Sequence, residues 1–386
     1  SAIFILFSNI KACIQKKNIT YVYFFDLIAL IFILVFFYRL AEHGTDRSAQ
    51  ILVLLIISEI FRVFILKKIT SNEISKLLIL FAVTISLKAI YFLYGLLLLP
   101  LLYIIRAKIS LKKLTEKLFL NPTFYISLVL LSLVLITNFF NTGCLIYPLS
   151  GSCFTSFEWS IQTKEIEKMA LHYENWSKAG MTPSFKVDDP SMYVENFNWI
   201  HGWLERYFFF KFSDFLIGLI FLKLTFLIIF YSKKKFKLKI KKEIILVYLI
   251  IIILSIEWFI NHPTLRYGGY SLIAILFFIP LSLILKKFDN NLNIIKKKTL
   301  VVILVGITIF VARNIDRIIK ENEKYNYNIL INPYYKIDNT FFRVENQIEN
   351  LIKNYNLCQD NKPKCNKQEQ YIVKKKMNKY FFIRKR

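Results

Sequence analysis

The chain alternates between long apolar runs and short clusters of charge. Apolar runs cover 1–14, 21–38, 50–66, 77–105, 124–140, 212–231, 244–260, 270–285 and 300–312. A helix needs about 20 such residues to cross a hydrocarbon layer of about 30 Å. In that layer only a backbone that closes its own hydrogen bonds is tolerated. The pattern predicts an all-α fold, a polytopic transmembrane helical bundle. Two polar stretches interrupt it: a loop at 141–207 with a helix-like piece at 163–179, and a tail with a helix-like piece at 341–355. The expected organisation is N-terminal spans at 1–140, a partly helical loop at 141–207, a second group of spans at 208–313, and a tail at 314–386. The stretch 198–210, rich in Trp and Phe, reads as a segment lying along the membrane interface before the next span.

Composition agrees: 55% of residues are hydrophobic and 17% aromatic, which in water would aggregate. The formal charge of +26 would suggest nucleic acid in a soluble protein, but here it sits in short lysine clusters between spans. That is the positive-inside pattern beside anionic lipid, and nucleic acid is not an expected partner. The loops at 106–117, 233–242 and 286–298 are then cytoplasmic, and the 141–207 loop, the 261–269 turn and the tail are extracytoplasmic. All four histidines (His43, His172, His201, His262) and all five tryptophans fall on or near that outer side. The run 77–105 sets the parity. As one helix it would be about 43 Å long at about 1.5 Å per residue, too long for the layer. Two short limbs meeting near Lys88 place Lys67, Lys68 and Lys76 inside, the 42–47 loop outside, and Lys88 at a recessed turn. The chain opens at Ser1 within an apolar run and shows no signal peptide, so further spans are expected ahead of it.

Four of the five cysteines form two close pairs on the side assigned as external, Cys144 with Cys153 and Cys358 with Cys365. In an oxidising compartment both pairs close as disulfides, and neither has the two-residue spacing of a zinc site. Cys13 is left as a free thiol.

Candidate chemistry lies on the same side. Glu42-His43-Gly44-Thr45-Asp46-Arg47 is a charged loop opening a span, where Asp46 caps a helix or, with His43 and Glu42, holds a sugar hydroxyl or a divalent metal. Lys88 either snorkels to headgroups or binds a phosphate. His262-Pro263-Thr264-Leu265-Arg266-Tyr267-Gly268-Gly269 is a turn whose Arg266 runs against the positive-inside trend. It needs Asp46, Glu257 or an anionic ligand as a partner. Arg313 is a second such arginine. Glu59 and Arg62, one turn apart, are expected to pair with each other.

In layout, residues 42–105 resemble part of the GT-C superfamily of integral-membrane glycosyltransferases, the architecture of protein mannosyltransferases and aminoarabinose transferases. In that family an outer Asp opens a span, a basic inner loop follows, and a short helical pair turns at a Lys. Asp46, Lys67-Lys68 and Lys88 match that order. Asn141-Thr142-Gly143-Cys144-Leu145-Ile146-Tyr147-Pro148 resembles a Thr-Gly-Cys…Tyr-Pro segment of some bacterial membrane proteins of surface-polysaccharide loci. Arg266-Tyr267 resembles the arginine of a later outer turn. The resemblance implies an enzyme of the bacterial plasma membrane, with a polyprenyl-phosphate-linked sugar as donor and a glycan or lipid as acceptor. It implies that Asp46 positions acceptor or metal, and that Lys88, Arg266, Tyr267 and Arg313 bind the lipid phosphate. No organic cofactor is implied. The family's catalytic acid sits in a first outer loop that would precede Ser1. An O-antigen polymerase or ligase and a polytopic transporter are the competing readings. A transporter would show broken helices at mid-membrane and an inverted repeat.

Overall fold

The computed structural model describes residues 2–38, 45–66, 69–108, 111–180, 187–234, 240–288, 291–325, 343–360, 371–376 and 379–384. The chain divides into two compact units, Ser1–Asn314 and Ile315–Arg386.

The regular elements among the first unit's described residues are helices, apart from one isolated bridge between Cys144 and Cys153. It begins with α1 (Ala2–Gln15), α2 (Tyr21–Phe36), α3 (Asp46–Ile65) and α4 (Ser71–Leu87). A 3-10 stretch, Ala89–Leu97, leads into α5 (Leu98–Lys108). α6 (Leu111–Phe119), α7 (Pro122–Thr142), α8 (Thr163–Lys178), α9 (Pro190–Val194) and α10 (Ile200–Trp203) follow. A π-helical stretch, Leu204–Phe212, runs into α11 (Ser213–Phe230), and α12 (Lys242–Asn261), α13 (Gly269–Lys287) and α14 (Leu292–Tyr325) complete the series. Among the described residues, six helices are long and apolar enough to cross a membrane: Asp46–Ile65, Ala89–Arg106, Pro122–Thr142, Ile200–Phe230, Lys242–Asn261 and Gly269–Lys287. The protein is therefore an integral membrane protein with a helical bundle.

Burial separates the helices by role. Every side chain from 21 to 34 in α2 is buried, against α1, α3 and α13. A helix apolar all round belongs at a core, and α2 is that core. Phe32 sits within 4.8–6.2 Å ring-centroid distance of Phe36, Phe37, Phe215 and Phe278. In α7, also long and apolar, only 6% of the spanning window is buried: it packs on α4 and leaves the rest exposed, as a lipid-facing span would.

The run 77–105 breaks where the sequence suggests. α4 starts at a capping box of Thr70 and Glu73 and stops at Leu87; Lys88 is extended, and the backbone restarts as the 3-10 stretch. At 17 residues α4 is about 26 Å long, shorter than the layer. Because α3 enters at Asp46 while Lys241 Nζ donates to the Phe64 carbonyl at 3.1 Å, Asp46 and the lysine-flanked start of α12 mark opposite ends of the bundle.

The 198–210 stretch leads straight into the next span as one helical run, Ile200–Phe230; Trp199 and Trp203 are buried against Phe259, while Phe209 and Phe210 are exposed. The helix that carries 300–312, α14, continues past both ends of that run. Glu59 and Arg62 pair as expected, and Arg62 has a second, closer partner. The two approach at 3.4 Å, but Arg62 Nη2 is 2.5 Å from Asp26, a fully buried carboxylate in α2 that also accepts from Ser58. Asn9 of α1 donates to Glu59 at 3.2 Å and completes the cluster.

α7 ends on Gly143 with φ 81, a left-handed conformation that L side chains rarely adopt. A Cβ there would also lie 2.5 Å from Ser160 Cβ. The chain then turns through Cys144, which is disulfide-bonded to Cys153. Cys144→Ser is expected to lower unfolding stability by about 2–3 kcal/mol, the chain-entropy value for a short loop. Denaturant unfolding in detergent measures this, and an unchanged midpoint would refute it.

In the second unit, α15 (Arg343–Gln359) corresponds to the expected tail helix. An antiparallel hairpin of β1 (Tyr371–Lys376) and β2 (Lys379–Arg384) follows it and was not expected from the sequence. Cys358 is disulfide-bonded, and Cys365, its expected partner, lies outside the described residues.

Candidate active site

Three segments far apart in sequence meet at one end of the first unit. Asp46 is the first residue of α3, after Thr45 at the N-cap position, which makes no side-chain cap bond. The Asp46 carboxylate is not a cap either: Oδ1 accepts from Lys88 Nζ and Oδ2 from Arg266 Nε. Lys88 also sits 4.0 Å above the Tyr267 ring, a cation–π contact. The break after α4 makes this geometry possible, since a continued helix would carry Lys88 past the opening of α3.

The 262–268 turn that presents Arg266 is held from below. Gln50, one turn into α3 and fully buried, donates to the Arg266 carbonyl at 3.0 Å and accepts from the Ser271 amide at 3.0 Å. Trp203 donates to the Pro263 carbonyl at 2.6 Å, Trp258 to the Thr264 carbonyl at 2.8 Å, and the Leu265 amide to Tyr207 Oη at 2.8 Å. Gly268 closes the turn at φ 106, and a Cβ there would stand 2.9 Å from Tyr94 Oη. Buried backbone groups left unpaired in lipid would each cost several kcal/mol, so these aromatic donors and acceptors make the turn rigid.

This group forms one wall of a cavity of about 610 Å³. The cavity is also lined by α8 and the loop before it, with Tyr147, Tyr173, Glu174 and Trp176, and by His262. The His262 and Tyr267 rings are 5.7 Å apart, and Ser177 Oγ is 3.5 Å from His262 Nδ1. Burial, with Lys178 and Lys88 adding to it against the pull of Glu174, holds the His262 imidazole below its usual pKa. His262 is thus neutral at pH 7. Burial raises the Tyr267 phenol above its usual range, with Asp46 adding to the effect and Arg266 opposing it.

Of the residues singled out from sequence, Asp46, Lys88, Arg266 and Tyr267 are brought together. Arg313 is not: it donates to the Val35 carbonyl at 2.7 Å, stacks 3.8 Å over the Tyr38 ring and ties α14 to the end of α2. Glu42 and His43 lie outside the described residues. Glu257 is not the partner of Arg266, because its Oε1 accepts from Asn261 at 3.1 Å. Gln50, Tyr173 and Glu174 escaped singling out; Tyr147, Trp176 and His262 had been noted for their motif or their side of the membrane and not as site residues. Among the described residues, no group of three or more His, Cys, Asp or Glu side chains is placed to hold a metal ion.

A family model described as Domain of unknown function (DUF8201) matches residues 1–273. No curated protein and no solved structure matches the chain. Every residue lining the cavity, from Thr45 to Tyr267, falls within the matched range.

Proposed function

The chain belongs to the family described as Domain of unknown function (DUF8201), and we propose that it is a membrane glycosyltransferase working on the extracytoplasmic side. It takes its sugar from a polyprenyl-phosphate-linked donor, in the manner of the GT-C superfamily. One observation carries the reading: Lys88 and Arg266 grip a single carboxylate, Asp46, beside a large cavity at one end of a membrane-embedded bundle. A phosphodiester-linked lipid sugar carries a negative charge, and Lys88 and Arg266 are two cations lining the cavity that would receive it. When the sugar leaves, the lipid phosphate gains charge, so fixed cations stabilise the transition state more than the bound donor. Asp46, with both oxygens engaged, aligns the two cations.

The test uses full-length protein in nanodiscs with undecaprenyl phosphate as probe and undecaprenol as its uncharged control, read by native mass spectrometry. Undecaprenyl phosphate should bind, undecaprenol should not, and Lys88→Ala should abolish the difference. Equal binding of both lipids would remove the support for the reading. The side is tested separately: Leu238→Cys should be shielded from an impermeant thiol reagent in intact cells while Lys186→Cys labels. The reverse pattern would place the cavity inside.

A further inference from the structure

We infer that Glu174 is the catalytic base of this site, taking the proton from a sugar hydroxyl of a carbohydrate acceptor seated against α8. This rests on the glycosyltransferase reading above and supplies what the sequence left to a loop ahead of Ser1. Attack by an acceptor hydroxyl on the anomeric carbon needs a group to receive its proton. Among the described residues lining the cavity, two are carboxylates, Asp46 and Glu174. Asp46 is ruled out because each of its oxygens already accepts from a cation. Glu174 differs. Lys178 Nζ, itself almost fully buried, holds Oε1 at 2.5 Å, and no described residue bonds Oε2. One oxygen is anchored and the other is left for a ligand.

The surroundings suit a sugar. Tyr173 and Trp176 flank Glu174 on α8, and Tyr147 faces the same space. Aromatic rings beside a carboxylate offer an apolar face for a pyranose ring and an acceptor for its hydroxyls. Lys88 and Arg266 line the same cavity, so donor phosphate and acceptor hydroxyl would meet at the anomeric carbon within it. In the step, Glu174 Oε2 takes the hydroxyl proton and the acceptor oxygen bonds to the anomeric carbon. The bond from that carbon to the phosphate oxygen breaks, and its electron pair leaves with the lipid phosphate, held by Lys88 and Arg266. Glu174 then returns its proton to water.

The experiment compares full-length wild type, Glu174→Gln, Glu174→Asp, His262→Gln and Glu42→Gln in a host strain lacking the gene. It reads surface-glycan composition, membrane abundance and undecaprenyl phosphate binding in nanodiscs. Glutamine keeps the Oε1 contact with Lys178, so abundance should hold. Glu174→Gln should bind the lipid phosphate like wild type yet lose transfer by about 10²–10⁴, with Glu174→Asp recovering part of it. Full transfer by Glu174→Gln overturns the inference, as does an equal loss of lipid binding, which would make Glu174 a structural prop. Loss of transfer confined to His262→Gln or Glu42→Gln would move the base to that residue. A wild type that neither binds undecaprenyl phosphate nor alters the glycan overturns the glycosyltransferase reading itself, and this inference with it.

Discussion

Lys88→Ala and Arg266→Ala should each reduce glycan transfer by about 10²–10³, with membrane abundance unchanged. That range, about 3–4 kcal/mol, is typical for removing one preorganised donor from a developing anion. Two features put Lys88 in this class rather than among lysines that merely reach for headgroups. It is about one quarter exposed, and it is fixed at once by the Asp46 carboxylate and the Tyr267 ring. Arg266 is fixed at its carbonyl by Gln50 as well as at its guanidinium by Asp46, so losing its side chain leaves the turn standing. Conservative exchange separates charge from geometry. Lys88→Arg keeps the charge but cannot seat a planar fork in the same place, so it should recover only part of the activity. The measurement is surface-glycan analysis in cells carrying each full-length variant. A Lys88→Ala protein with wild-type glycan would reduce Lys88 to an interfacial anchor.

Asp26→Ala should be strongly destabilising, by about 3–5 kcal/mol, because it leaves the half-buried Arg62 cation without its closest partner. Asp26 is fully buried in the core helix, and Arg62 reaches it across the α2–α3 contact. Glu59 remains 3.4 Å from Arg62 and both are about one quarter exposed, so the loss should fall near the lower end of that range. Replacing both partners, Asp26→Leu with Arg62→Leu, removes the unpaired charge and should be milder than Asp26→Ala alone. Unfolding in mixed detergent micelles gives both values. A double variant worse than the single would mean that the pair matters through its shape, not its charge.

The sequence alone determined the membrane class, most span positions, the break at Lys88 and the Cys144–Cys153 pair. Each of these is a local property. A run of apolar residues is long enough or it is not, lysine clusters lie between runs, and a charge interrupting an apolar stretch shows without knowing its neighbours. Which face of a helix meets which partner could not be read that way. In α2 and α7 the apolar pattern is nearly unbroken, so nothing in either run tells that one is the buried core and the other is left exposed. Asp26 stood in plain view in α2, but its role depends on Ser58 and Arg62 in another helix. Asp46 and Arg266 pair across 220 positions, a contact that chemistry suggested and only packing could select over Glu257. Arg313 had the same credentials as Arg266, yet α14 places it at the end of α2. Tertiary structure alone decided these, because in lipid the hydrophobic effect does not orient one apolar helix against another. Close packing and the few buried polar pairs do, and they join residues the chain keeps far apart.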